Sequence, residues 1–363
     1  MWSWSTAALA AAVAGCSALA AAALVPTIKH RLRHPEVAAK IPLRAYVSFD
    51  VAVRFRSLLH SLGGVSSKLE RIADVEQVAP GIIRVLGQNP GRMTLRGTNT
   101  YLLGDGPTRV LIDASDGNAE YMRHLLKVCA AHGVTAISDL LISHGHMDHI
   151  GGVLRVREAF PDVKIWKLMP EDDRTLRFSN DECATLLIRP LRPGQTFAIP
   201  QRTGALRAEY MPGHCADHVC FLLEDGADVA LFSGDCILGE GSCVFDSLRD
   251  LMASLRRLRE LAPTVIFPAH GPVVHRALDK INEYINHRQQ REDEIIAAMK
   301  DVGRPVSSKE LVSRIYEKLP TMLRIAAQRA VDKHLEKLVH DGVVKKARAT
   351  WTLPARYDLE SAR

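Results

Sequence analysis

The chain has 363 residues, 47% of them apolar and 24% charged, enough for one large domain with a smaller appendage, which excludes wholesale disorder. A formal net charge of +6 permits an anionic partner without demanding one. Seven cysteines, an odd number with no Cys-x-x-Cys pair among them, exclude a disulfide framework and indicate a reducing compartment.

Residues 6–25 form an uncharged Ala-rich run followed by Lys29, Arg31 and Arg33, and no acidic residue precedes Glu36. Freedom from acid and plentiful Ala and Ser suit an organelle transit peptide, and mitochondrial import is the expectation. The alternative is a membrane anchor, because the run is long enough to span a bilayer. Its basic flank would then stay cytoplasmic and hold the catalytic domain in the cytosol. Residues 1–34 are thus read as a targeting or anchoring segment and 35–68 as a tether. The globular part starts near Leu69.

Apolar runs at 100–103 and 109–112, joined by Gly104-Asp-Gly-Pro107, predict a hairpin. Helical spacing through Tyr121, Leu125, Leu126 and Cys129 predicts a helix over 118–131, stopped by Gly133. The run 137–142 reads as a buried strand. It leads into Ser-His-Gly-His-Met-Asp-His at 143–149, which packs four metal-ligand side chains into six residues: His144, His146, Asp148 and His149. A strand ending in such a loop can aim His144 and His146 at one ion and Asp148 and His149 at a second. Imidazoles joined by a carboxylate make the mixed shell of a hydrolytic zinc site. The bland alternative is a solvated histidine-rich turn.

A helix follows over 153–160, then strands at 163–168, 205–210, 219–223 and 229–232, an amphipathic helix over 245–261 and a strand at 265–267. Three of these strands exit into further ligands: Met-Pro-Gly-His offers His214, Ser-Gly-Asp offers Asp235, and Pro-Ala-His-Gly-Pro offers His270. Asp235 is the natural bridge, since a carboxylate can hold two cations about 3.5–4 Å apart. Cys215 and Cys236, each next to a ligand, read as small packing residues.

With this signature the chain resembles the metallo-β-lactamase-fold hydrolases of the glyoxalase II-like branch. The stretches Asn89-Pro-Gly-Arg-Met-Thr-Leu-Arg-Gly-Thr-Asn-Thr-Tyr-Leu102, Phe232-Ser-Gly-Asp-Cys-Ile-Leu-Gly-Glu-Gly241 and Tyr284-Ile-Asn-His-Arg288 are similar to its mitochondrial endoribonucleases. The likeness runs from about Leu69 to the C-terminal region. It implies a four-layer αββα sandwich over 69–281 and two Zn²⁺ per chain, with Mn²⁺ or Fe²⁺ also admissible. His144, His146 and His214 would hold one ion; Asp148, His149 and His270 the other; Asp235 would lie between. The resemblance also implies that Asp113, at the end of the strand 109–112, supports the ligand loop. The family usually has Thr where Ser143 stands and a bulkier residue where Gly145 stands.

From residue 282 the character changes. A long charged helix over 283–301 is halted by Gly303 and Pro305. Ser307-Ser-Lys-Glu310 predicts a capping box opening a second helix, a third runs from Pro320 to His340, and 343–353 alternates like a hairpin. Three helices and a hairpin predict a winged-helix-like domain over 282–363, with Lys345, Lys346 and Arg348 as candidate RNA contacts on the wing. Arg324, Arg329 and Lys333 lie on the helix before it. A small helical cap with ordinary surface lysines is the plain alternative.

The expected activity is a metal-dependent endoribonuclease acting on single-stranded RNA, with a hydroxide shared by the ions attacking phosphorus. Asp148 and His218 are the catalytic candidates, His218 either protonating the leaving oxygen or orienting a ligand. Only twenty residues separate His214 from Asp235, so no nucleic-acid-gripping domain is inserted there. An acyl-thioester hydrolase is the alternative, since polyketide-releasing enzymes of this fold share the stretch Gly97–Tyr101; a glyoxalase-like or lactone hydrolase is a variant of it. A non-catalytic RNA-binding protein is disfavoured by the full set of seven ligands.

Overall fold

The computed structural model describes residues 40–42, 45, 68–172, 179–225, 228–317 and 319–354. The expected targeting segment, and nearly all of the expected tether, lie outside these. Of the tether, Ile41 is buried in the core with Ala45 packed against it. Among the described residues no helix is long and apolar enough to cross a membrane.

The first sheet has seven strands in sequence order. Strands β1 (Val75–Ala79), β2 (Ile82–Leu86), β3 (Asn99–Leu103) and β4 (Thr108–Ile112) form an antiparallel meander. Helix α1 (Ala119–Ala131) then crosses to β5 (Ala136–Ile142), which is parallel to β4. The short helices α2 (Met147–Ile150) and α3 (Val153–Ala159) lead to β6 (Lys164–Leu168), and α4 (Asn180–Thr185) leads to β7 (Ile188–Leu191), both parallel additions. The second sheet runs β12-β11-β10-β9-β8, from β8 (Thr196–Ala198), β9 (Ala205–Tyr210), β10 (Val219–Asp225), β11 (Asp228–Gly234) and β12 (Val265–Pro268). Helix α5 (Leu248–Leu261) makes the crossover that sets β12 parallel to β11.

Side-chain alternation builds three cores from these two sheets. On β10, Val219, Phe221 and Leu223 face the first sheet, meeting Tyr101, Leu103 and Ile112. Cys220 and Leu222 point the other way, toward Leu251, Leu255 and Leu258 of α5. On β4, Leu111 faces the layer holding Tyr121 and Leu125 of α1, while Val110 and Ile112 face the inter-sheet core. The result is the αββα sandwich. Four strands carry little sequence signal: β1 is largely exposed, β2 is a short, uniformly buried run, β8 has three residues, and β7 contains Pro190, which only an edge strand accepts.

Helix α6 (Ala277–Val302) starts before the expected residue 283, because Ala277 and Ile281 already pack on the second sheet. Its far end supplies Ile295, Ile296 and Met299 to a fourth core, so the helix runs unbroken through the expected boundary at 281/282. Helices α7 (Ser308–Ile315) and α8 (Thr321–His340) and the hairpin β13 (Lys345–Ala347) and β14 (Thr350–Thr352) complete the winged helix, with Trp351 buried and bridged to Val306. Half of the predicted capping box forms. Ser307 Oγ accepts the Glu310 amide at 3.2 Å, while the Glu310 carboxylate pairs with Arg304 at 2.9 Å.

Phe221, fully buried between the sheets, is the strongest single test of this layering. Phe221→Ala is expected to cost about 3–5 kcal/mol in urea unfolding.

Candidate metal centre

Strand direction puts the ligands on one edge. Strands β9 and β11 are each antiparallel to β10, and β12 is parallel to β11, so all three exit on the same side of the second sheet. Their exits carry His214, Asp235 and His270. From the first sheet, β5 ends at Ile142 and feeds Ser143 and His144; His146 then opens the single turn of α2, which carries Asp148 and His149.

All seven predicted ligands meet. His146 Nδ1 and His214 Nε2 are 3.0 Å apart, with the His144 and His146 ring centres 4.5 Å apart. Asp148 Oδ2 lies 3.2 Å from His149 Nε2 and 3.3 Å from His270 Nε2. Asp235 divides its oxygens between the two groups. Its Oδ2 is 3.4 Å from His214 Nε2 and 3.9 Å from His144 Nε2. Its Oδ1 is 3.2 Å from His270 Nε2 and 3.5 Å from His149 Nε2. His144 Nε2, His149 Nε2, His270 Nε2 and Asp235 Oδ1 are buried with no hydrogen-bond partner. One such orphan costs about 1–3 kcal/mol, and four converging on one space fit a cation there. The nitrogen-rich donor set suits Zn²⁺.

Four of these side chains, His149, His214, His270 and Asp148, are held from behind. Asp113 accepts from the Ser143 amide at 2.8 Å through Oδ1, and its Oδ2 lies 2.8 Å from both Ser143 Oγ and His149 Nδ1. It sits at φ 58°, a left-handed conformation that an Asp tolerates better than most. His214 Nδ1 is 2.8 Å from Val244 O, and His270 Nδ1 is 3.3 Å from Gly97 O. Thr98 Oγ1 donates to Asp148 at 3.2 Å. Asn99 Nδ2 donates to Pro268 O and Gly271 O, and Tyr101 OH to Pro268 O at 2.7 Å, which fixes the loop of His270.

His218 is wholly buried and absent from the cleft wall; its Nε2 accepts the Asp235 amide at 3.0 Å. Burial and His214 push its pKa down to about 3. Of the two roles expected for His218, proton donor to a leaving group or support of a ligand, this geometry favours the second: its Nε2 is taken by the Asp235 amide, which it holds in place. Gly234, at φ 52°, is required beside it, because a Cβ there would lie 2.6 Å from His218 Nε2.

A further pair carries no sequence signal. Lys167 Nζ meets Asp217 Oδ2 at 2.6 Å, both side chains buried, and the same oxygen accepts the Gly145 amide at 2.9 Å. The peptide between His144 and His146 is thereby tied to β6 and to the loop of His214. A Cβ on Gly145 would lie 3.0 Å from Asp217 Oδ2 and 3.3 Å from Lys167 Cε, so a side chain there would press on the buried Lys167–Asp217 pair. Cys215 lies within ligand reach of His144, His146 and His214, and burial and Asp217 push its thiol pKa up.

The charges sort themselves. Burial disfavours both carboxylates, yet His149 and His270 hold Asp148 and Asp235 well below the usual carboxylate range. Burial also opposes charge on His270, yet Asp235 and Asp148 raise it to about 10, and Asp148, Asp235 and Asp113 likewise raise His149. His144 is pushed down by burial and by its neighbouring imidazoles. Protons therefore take the positions where the carboxylates attract positive charge. Above the ligands lies a cleft of about 400 Å³, with Arg92 and Met93 on one wall and Leu238 and Val244 among the other lining residues.

Residues 93–270 match the family described as the Metallo-beta-lactamase superfamily, and 307–351 match the Beta-lactamase associated winged helix domain. The Beta-lactamase-like protein 2 homolog of Caenorhabditis elegans is 37% identical over 282 residues, 76% of this chain and 90% of that protein. The Atrochrysone carboxyl ACP thioesterase of Aspergillus fumigatus is 32% identical over 273 residues, 71% of this chain and 81% of that protein. A Beta-lactamase domain protein from Burkholderia ambifaria superposes with a TM-score of 0.63 at 21% identity, covering 80% of this chain and 96% of that one, which is a likeness of fold.

Asp235→Ala is expected to abolish hydrolysis and lower metal content, measured by elemental analysis; near-normal occupancy with wild-type turnover would remove Asp235 from the site. Metal binding should release protons, so affinity rises with pH, and calorimetry in buffers of different ionisation heat reads that release. Lys167→Met leaves Asp217 buried without its cation, expected to cost about 3–5 kcal/mol and to loosen metal retention. The double variant Lys167→Met/Asp217→Asn should recover much of the stability in thermal unfolding.

Proposed function

The chain belongs to the metallo-β-lactamase superfamily, and on that premise we propose that it is a two-metal hydrolase cleaving phosphodiester bonds of single-stranded RNA. The observation that carries the two-metal reading is the division of Asp235, one oxygen toward His144 and His214 and the other toward His149 and His270. His144, His146 and His214 would hold one zinc, and Asp148, His149 and His270 the other. When bound, such ions supply Lewis acidity and a nucleophilic water near neutral pH. The chain's own part is positional: Asp113 orients His149, His218 pins the Asp235 amide, and Thr98 steadies Asp148.

The choice of RNA is supported by the C-terminal domain and by the likeness of three sequence stretches to the endoribonucleases of this fold. Helix α8 packs against α5, and His334 stacks edge-on against Phe245, next to the cleft residue Val244. Lys345 and Arg348 are exposed on the wing. Lys346 is less free, since its ammonium sits 4.6 Å over the buried Trp351 ring. On the preceding helix Arg324 is spent on Leu319 O and Glu317 O, and Lys333 on Glu336, while Arg329 stays exposed. The acid-free N-terminal segment supports import into mitochondria as the site of action.

A second reading, acyl-thioester hydrolysis, is favoured by the identity to the named thioesterase. Purified protein offered labelled single-stranded RNA and an acyl thioester side by side decides between them; cleavage of the thioester alone would overturn the RNA reading.

Replacing Lys345 and Arg348 together by Ala, with Lys346 kept for the packing of Trp351, should weaken RNA binding. Each phosphate left without its cation should lower the slope of log K against log salt by about 0.7. Unaltered binding at every salt concentration would mark the wing as ordinary surface.

A further inference from the structure

The loop between β2 and β3 is locked at its base and bare at its tip. Asn89 Oδ1 accepts the Thr98 amide at 2.9 Å, Asn89 Nδ2 donates to Thr98 Oγ1 at 3.1 Å, and Thr94 Oγ1 donates to Asn89 O at 2.6 Å. The amides of Gly91 and Gly97 close on Leu95 O and Thr94 O. Asn89 and Thr94 are buried, whereas Arg92 is exposed and Met93 is 55% exposed. Neither tip side chain belongs to a hydrophobic core of the described residues. The tip is nonetheless preformed, which spares a ligand the cost of ordering it.

Arg92 and Met93 line the same cleft as His146, Asp148, His214 and Asp235. Among the described residues lining it, Arg92 is the one Lys or Arg, and it makes no hydrogen bond or ion pair with any described residue. Arg96 in the same loop contrasts with it, since its guanidinium is taken up by Leu69 O and Glu70 O. Val244, 53% exposed, also lines the cleft. A free guanidinium beside an exposed thioether suits a ligand with an anion and a flat apolar face close together. A nucleotide next to a scissile phosphate has both. An acyl chain on a thioester would use Met93 and Val244 but brings no second anion to the carbonyl.

We propose that Arg92 holds the phosphate adjoining the scissile one and that Met93 takes that nucleotide's base, so that the tip selects a polynucleotide over a thioester. This rests on the reading of the cleft as RNA-cleaving. The test uses the full metal-loaded chain and the variants Arg92→Ala, Arg92→Lys and Met93→Ala, with metal content and thermal midpoint as controls of folding. Substrates are a single-stranded oligoribonucleotide and bis-p-nitrophenyl phosphate, which has no adjoining phosphate.

Arg92→Ala should raise KM for the oligoribonucleotide roughly tenfold or more, far more than for bis-p-nitrophenyl phosphate, and lower the salt slope by about 0.7. Arg92→Lys should keep the slope, because it keeps the charge. Met93→Ala should raise KM without altering the slope. If wild type cleaves RNA and Arg92→Ala keeps its KM and slope, or loses equally on both substrates, the subsite is overturned and the function stands. If wild type cleaves only a thioester, the function falls and the subsite with it.

Discussion

The structure turns on one electrostatic constraint. Three imidazole nitrogens and a carboxylate oxygen are withdrawn from water and converge on one space without a hydrogen-bond partner. Such an arrangement is costly without a cation, so it persists only where the surrounding backbone leaves the side chains no other place to go. That backbone comes from two sheets. His144, His146, Asp148 and His149 leave the end of β5, and His214, Asp235 and His270 leave β9, β11 and β12. The inter-sheet core beneath, with Tyr101, Phe232 and Phe267 packed ring against ring, keeps the two edges in register.

The three stretches that carry the family likeness are the clamps of this arrangement. Thr98, Asn99 and Tyr101 bind Asp148 and the backbone around His270. The run from Phe232 to Gly241 carries Asp235 and continues as a wall of the cleft. Tyr284 reaches back to that run, its hydroxyl accepting the Leu238 amide at 3.0 Å and donating to Gly241 O at 3.1 Å. Arg288 donates to Cys243 O and lies over the Phe245 ring. Segments far apart in sequence thus share one task, holding loops that would otherwise relax around the buried charges.

The side chains that converge here were legible as candidates because they lie in segments that leave apolar strands, a local pattern that needs no knowledge of the third dimension. The meander hairpin, α1 and the helices of the C-terminal domain were legible for the same reason. Lys167 and Asp217 were not. In the strand Lys-Ile-Trp-Lys-Leu a lysine reads as solvent-facing, and it becomes buried only when the loop of His214 closes over it. His218 shows the limit from the other side, since sequence spacing puts it near the metals but cannot say whether its nitrogen faces the cleft or a backbone amide. The start of α6 was hidden because its first turn, Ala-Leu-Asp-Lys, resembles a polar loop, and only packing against the second sheet makes it helix.

Helix α6 has 26 residues, which at about 1.5 Å each gives a rod about 39 Å long. One end is set in the sandwich and the other in the core of the winged helix, with no linker between them. Two modules joined by a rigid strut cannot swing to meet whatever they hold. The molecule is in this sense a caliper: a polymer that touches both the wing and the metal cleft must span a separation fixed by the protein. If that polymer is the RNA of the proposed function, its cut falls at a set distance from the point where the wing takes hold.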